Sequence, residues 1–366
     1  MIMSEVLDSL ANKAVERIQQ LIDLYEGQSN VSLHDHVRTQ RKERAARAKA
    51  FRLIYLDTNA WKCIVDFSVG KPTLTPEMVY FARMMELAGA SGSFAFPISA
   101  PTLFEMDAMT DSVTRDSMCR IADQLSKGLC VIPFTERFDT ELRQIKSKKF
   151  DITEDLDAFL CSPAELLGIP EFSANGFWPV NKLTFDKALF DVMSEMPFST
   201  LLEVTRDEQG LKWDNDRGVN EENLRKSKLQ VLGLNLNTAI AIEFRELIGA
   251  WFKDINVELS IEDLNRYAYR AMLYWQDNKG AKFAPTLRSL SSIRGLMLLD
   301  PQRKYQKGDI NDFMIAASAL PVASAFFTDR KLKNLITDKR IGIDHYSDCK
   351  VVSGFAEMGR YLEQAL

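Results

Sequence analysis

The chain has 366 residues, 46% of them hydrophobic and 27% charged, with a formal net charge of −5. That length supports a large core and more than one packing unit, and the acidic balance argues against a wholly basic nucleic-acid-coating surface while leaving room for a local basic groove. Five scattered cysteines without a CxxC pair argue against a disulfide frame or zinc site, no run approaches the length of a membrane span, and residues 1–20 lack the apolar centre of a signal peptide, so the expectation is a cytoplasmic protein with no membrane partner.

Residues 3–26 place Val6, Leu7, Leu10, Ala14, Ile18, Leu21 and Ile22 at helical spacing, and Gly27 and Asn30 predict the end of that helix. His34 and His36 flank Asp35, and the pattern reads as a solvated turn rather than a metal site. Residues 37–52 are rich in Arg and Lys, carry Glu43 as their one acid, and hold several alanines with no Pro or Gly, which predicts a helix. Its cations read as a solvated helix face, or alternatively as a basic arm that contacts phosphates.

Strands are predicted at 51–57 (FRLIYLD), 94–99 (FAFPIS), 129–134 (LCVIPF), 325–328 (AFFT) and 349–353 (CKVVS). Helices are predicted at 101–126, 309–320, 330–337 and 355–365. Strands alternating with helices predict an α/β fold with a mostly parallel central sheet covered on both faces. The alternation stops between 140 and 304, where helical periodicity dominates, Pro163, Pro170, Gly176 and Pro179 mark loops, and Trp178, Trp251 and Trp275 read as core. The expected organisation is an N-terminal helical and basic arm (1–50), an α/β domain in two parts (51–139 and 305–366), and a large helical insertion between them (140–304).

Ligands of open α/β sheets sit beyond the carboxyl ends of the strands. Asp57 ends the first predicted strand, with Asn59 two residues on; Glu105 lies in the helix after the second; Asp309 and Asp312 open the helix before the fourth; Asp329 ends the fourth. Carboxylates gathered at one edge repel one another, and a bound Mg²⁺ or Mn²⁺ relieves that repulsion. Such an ion polarises a phosphate oxygen and activates water, so the expected chemistry is phosphodiester hydrolysis, with Asn59 orienting Asp57 or touching substrate. Each acid alone has a local reading: a helix cap at Asp57 and Asp309, a first-turn charge at Asp312, a turn at Asp329. Their joint placement is what points to a metal. A haloacid-dehalogenase-type phosphatase would want a second Asp where Asn59 stands.

The segments IYLDTNAW, ISAPTLFEM and NDFMIAASALPVASAFFTD, in that order, resemble the PIN-domain nucleases. The resemblance covers roughly 50–135 and 305–366, and the insertion has no counterpart in the compact members of that family. It implies a PIN-like three-layer sandwich and a metal-dependent endoribonuclease using Mg²⁺ or Mn²⁺ on RNA, with DNA possible. Many members are toxins, so an antitoxin chain or a homo-oligomer partner is implied as well. Asp57, Asn59, Glu105, Asp312, Thr328 and Asp329 match the family's positions, and Asp309 matches an extra acid of some members. The implied roles are metal ligation by Asp57 and Asp312, a metal-bound water or second ion at Glu105, and completion of the pocket by Asp329. Arg330 stands where the family often carries its last acid. That departure and the acidic balance motivate the alternative, a non-catalytic PIN-like scaffold that binds protein or RNA.

Overall fold

A computed structural model of the chain describes residues 2–28, 30–107, 109–147, 154–168, 181–205, 218–254 and 257–366. Two helices open it, α1 (Ile2–Tyr25) and α2 (Leu33–Ala48). The Ser32 hydroxyl accepts the Asp35 amide at 3.1 Å and starts α2 upstream of the expected basic run. The helix therefore takes in both histidines, which corrects the expected solvated turn. His34 is exposed, but His36 is buried with Nε2 2.8 Å from Asp191.

The apolar run after α2 forms β1 (Arg52–Leu56), followed by α3 (Thr58–Ser68), α4 (Pro76–Ser91) and β2 (Phe94–Ala95). The helix expected over 101–126 is two, α5 (Ala100–Asp107) and α6 (Ser112–Ser126). Asp111 takes the N-cap position of the second and accepts the Thr114 hydroxyl, so a local side-chain bond competes with helix continuation. The expected third strand shrinks to β3 (Cys130–Val131), because Pro133 brings no N–H to a ladder. It leads into α7 (Phe134–Ser147) and pairs antiparallel with β4 (Leu160–Cys161), so the helical insertion supplies a strand of its own.

The rest of that section is helical: α8 (Pro163–Leu166), α9 (Lys182–Glu195), α10 (Phe198–Thr205), α11 (Val219–Gln230), α12 (Leu236–Asp254), α13 (Ile261–Asp277) and α14 (Pro285–Leu299). Trp275 is buried as expected and its indole N–H donates to the Phe283 carbonyl at 3.1 Å, while Trp251 is half-buried. Trp178, Pro170, Gly176 and Pro179 lie outside the described residues. The chain closes with α15 (Asp309–Ala319), β5 (Ala325–Thr328), α16 (Arg330–Ile336), β6 (Lys350–Ser353) and α17 (Phe355–Ala365).

The main sheet is small and wholly parallel, in the order β2–β1–β5–β6. β3 meets the segment that follows β2 through a parallel bridge between Ile98 and Cys130. Side chains alternate across the sheet, as the two-residue strand period requires. Leu53, Tyr55 and Phe326 enter one core with Ile240, Phe244, Leu287 and Phe313. Ile54, Leu56 and Phe327 enter another with Trp61, Phe81, Met118 and Leu362. Helices thus cover both faces of a mostly helical α/β protein. One of the two cores runs unbroken from the sheet into α12 and α14, so the insertion packs on the sheet rather than beside it. A smaller core joins Ile18, Leu21, Ile22 and Tyr25 of α1 to Phe185, Ala188 and Val192 of α9. No helix among the described residues is long and apolar enough to cross a membrane.

Candidate active site at the carboxyl edge of the sheet

β1 and β5 run side by side and in register, Leu56 beside Phe327, and each ends in an aspartate that caps the next helix. Asp57 donates its backbone N–H to the Phe327 carbonyl at 3.0 Å, and its Oδ1 accepts the Ala60 amide at 2.9 Å. Asp329 Oδ1 accepts the Leu332 amide at 2.8 Å. The capping interpretation of Asp57 therefore holds, and Asp329 caps the following helix in the same way.

The remaining acids arrive from neighbouring helices. Glu105 on α5 accepts the Thr58 hydroxyl, and Asp312 lies in the first turn of α15. Asp309 is not the N-cap expected for it. Gly308, at φ 87°, takes that place, a conformation that glycine adopts without steric cost. Asp309 instead begins the helix, accepts the Gln306 amide at 2.9 Å and pairs with Lys331 Nζ at 2.5 Å.

Burial pushes the Asp57 carboxyl up to about 7; the charge of Asp329 adds to this, and the Ala60 amide, the Thr328 hydroxyl and the Asp329 amide oppose it. Asp312 is pushed up to about 8 by burial, then by the charges of Asp329, Glu105, Asp57 and Asp309. Burial also raises Glu105, against the pull of the Thr58 hydroxyl. The fields of the other four expected acids thus converge on the Asp312 carboxyl. Among the described residues, no Lys, Arg or His forms an ion pair with Asp57, Glu105, Asp312 or Asp329, whereas Asp309 has its cation in Lys331.

The all-oxygen donor set suits a hard divalent cation in kind. The spacing is looser than a coordination shell: among the described residues, no three His, Cys, Asp or Glu side chains are gathered closely enough to hold a metal ion. Asn59, expected to orient Asp57, is exposed and makes no hydrogen bond to it; the buried Thr328 hydroxyl lies against Asp57 instead.

A cavity of about 510 Å³ opens beside Asp57 and Asp329, bounded also by Asn59, Lys62, Met78, Arg330 and Phe355. Thr58, Lys62 and Phe355 were not singled out from the sequence. Lys62 had a usable signal, since it lies three residues past Asn59 and so shares its helix face. No protein-family model, curated protein or solved structure matches this chain.

Proposed function

We propose that the protein is a divalent-metal-dependent endonuclease of PIN-like three-layer design that hydrolyses phosphodiester bonds, with RNA the preferred substrate. The observation that carries this reading is the placement of Asp57, Glu105, Asp312 and Asp329 at the sheet edge, none in an ion pair among the described residues, with Asp57 and Asp312 raised by burial and by neighbouring carboxylates. Mg²⁺ or Mn²⁺ would supply the missing positive charge and polarise the phosphate. Asp57 and Asp312 would hold the ion, Asp329 would complete the pocket, and Glu105, whose carboxylate Thr58 steadies, would orient the attacking water. Thr328 keeps Asp57 in place, and the exposed Asn59 faces substrate. Arg38, Lys42 and Arg47, exposed on α2 and outside any ion pair among the described residues, meet the phosphate backbone.

The test is cleavage of total RNA with and without Mn²⁺. Parent protein should cut only with the metal, and Asp57→Asn should be inactive while keeping the parent circular dichroism spectrum. Equal cleavage by that variant removes the assignment.

A second reading has an observation in its favour. The acids do not form a closed coordination set, and Arg330 follows Asp329, as suits a non-catalytic PIN-like scaffold for protein or RNA. Calorimetric titration with Mn²⁺ separates the two. Saturable binding that disappears in Asp57→Asn and Asp312→Asn supports the enzyme, and no binding supports the scaffold. An antitoxin, if the protein is a toxin, is a separate chain.

A further inference from the structure

The cavity beside Asp57 and Asp329 is larger than a metal ion with its waters requires. At about 510 Å³ it falls within the range of small-ligand clefts, roughly 300–1,000 Å³. Its lining divides by exposure. Ala60, Cys63 and Met358 are buried and apolar, Met78 and Phe355 are half-buried, and Asn59, Lys62 and Arg330 are exposed. Neither Lys62 nor Arg330 forms an ion pair among the described residues, whereas the Asp66 charge at the same cavity is answered by Lys71 at 2.6 Å. Cys63 is a wall rather than a nucleophile, since burial pushes its thiol up to about 12.

The cavity is thus lined by an aromatic ring and two thioethers, with an exposed amide and two exposed cations that form no ion pair among the described residues, and it borders Asp57 and Asp329. A wholly apolar ligand would leave the amide and both cations unanswered. A base with its phosphates answers each group: the π-face meets Phe355 and the methionines, the base edge meets the Asn59 amide, and the phosphates meet Lys62 and Arg330. A base within a duplex is stacked and cannot enter.

We propose that this cavity receives one unstacked nucleobase of a single-stranded nucleic acid, with Phe355 and Asn59 deciding which base is held and Lys62 and Arg330 gripping the adjoining phosphates. The proposal rests on the nuclease reading only in that it sets a phosphate next to Asp57 and Asp329.

The test is binding without cleavage. Fluorescence anisotropy in EDTA compares a labelled RNA pentanucleotide, an all-abasic strand of the same length, and a blunt duplex, on the parent and on Phe355→Ala, Asn59→Ala and Lys62→Glu. The parent should bind the single strand in preference to the duplex and lose about tenfold or more on the abasic strand, as loss of a stacked base does. Phe355→Ala should lose a similar factor on the normal strand and nothing further on the abasic one. Phe355 also packs on Phe81, at 5.5 Å between ring centroids, so the two exposed positions carry the test if that variant fails to fold. Asn59→Ala should change the affinity order among the four homopentamers, and Lys62→Glu should flatten the dependence of affinity on salt. Equal or tighter binding of duplex, or parent-like behaviour of the folded variants, overturns the proposal. Cleavage is read separately: a protein that binds this way but never cuts sinks only the nuclease reading, and one that cuts with indifferent cavity variants sinks only the base site.

Discussion

Asp312 is held in a place where its ionised form is disfavoured, and stability should report it. Its carboxyl lies at about 8 in the folded chain, against an ordinary 3.8. Between those values the folded state holds a proton that the unfolded state has released, so metal-free stability falls as pH rises through that window. Asp57, at about 7, adds to the same slope. Asp312→Asn should therefore raise the metal-free melting temperature at pH 8.5, by an amount worth about 1–3 kcal/mol, and change it little at pH 4, where the parent residue is itself largely protonated. A thermal melt at both pH values decides it; an equal effect at both would show that repulsion is not what the substitution removes. Under the proposed function the same protons compete with metal, so Mn²⁺ affinity should rise from pH 6 to pH 8.5. The positions of Asp57 and Asp329 were legible because an apolar strand pattern stops on each. The pairing of Asp309 with Lys331, and of Thr58 with Glu105, was not, since both need helices brought together by tertiary packing. The same packing put Thr328, rather than Asn59, against Asp57.

Among the elements, α14 shows how the helical section is locked to the sheet core. Its first turn has no side-chain cap of its own, and Glu141 of α7 supplies one by accepting the Thr286 and Leu287 amides at 3.1 and 2.9 Å. Arg137 balances that buried carboxylate at 2.8 Å. Glu141→Ala removes the cap and leaves Arg137 with one fewer anion, so it should lower unfolding free energy by about 3–5 kcal/mol in urea titrations. Asp139→Ala, which breaks the exposed pair to Arg143 on the same helix, should leave the midpoint nearly unchanged. Further along α14, Gly295 lets the helix approach α12: a Cβ there would lie 2.9 Å from backbone atoms of Ile240. Backbone cannot swing aside as a side-chain tip does, so Gly295→Ala should cost about 1–3 kcal/mol in the same assay. A parent-like midpoint would mean that the two helices separate freely. Helix existence in this section was legible from periodicity, and β1, β5 and β6 from their apolar runs. The break after α5 and the diversion of β3 to β4 were less legible. The first turns on one aspartate bonding its neighbour, and the second on a partner strand about thirty residues away that lies among helical patterns.

At the scale of the whole molecule, the basic N-terminal segment is clamped rather than free. Arg41 reaches Glu136 on α7 and Glu165 on α8 at 2.5 and 2.6 Å, and the buried Arg44 reaches Glu165 at 3.4 Å. Tyr25 and His36 both bond Asp191 on α9, which fixes α1 and α2 to the same section. A run of cations in sequence is thus two populations in space, and sequence alone cannot separate them because the answering acids lie about 95 to 125 residues away. The division has a measurable consequence. Replacing Arg41 and Arg44 by Ala leaves Glu165 buried without a cation, so stability should drop by roughly 3 kcal/mol or more. Under the proposed function the salt dependence of RNA binding should stay as in the parent, because charges already neutralised within the protein release no counterions on binding. Replacing Arg38, Lys42 and Arg47 should do the reverse, leaving the melting temperature alone and making the log–log salt slope shallower by about 0.7 for each phosphate that is no longer neutralised. Thermal melts and anisotropy titrations from low to moderate salt on the two variants test both halves. If the Arg41 and Arg44 variant melts like the parent and flattens the slope, the clamp is not what holds this segment, and the segment acts as a mobile basic arm.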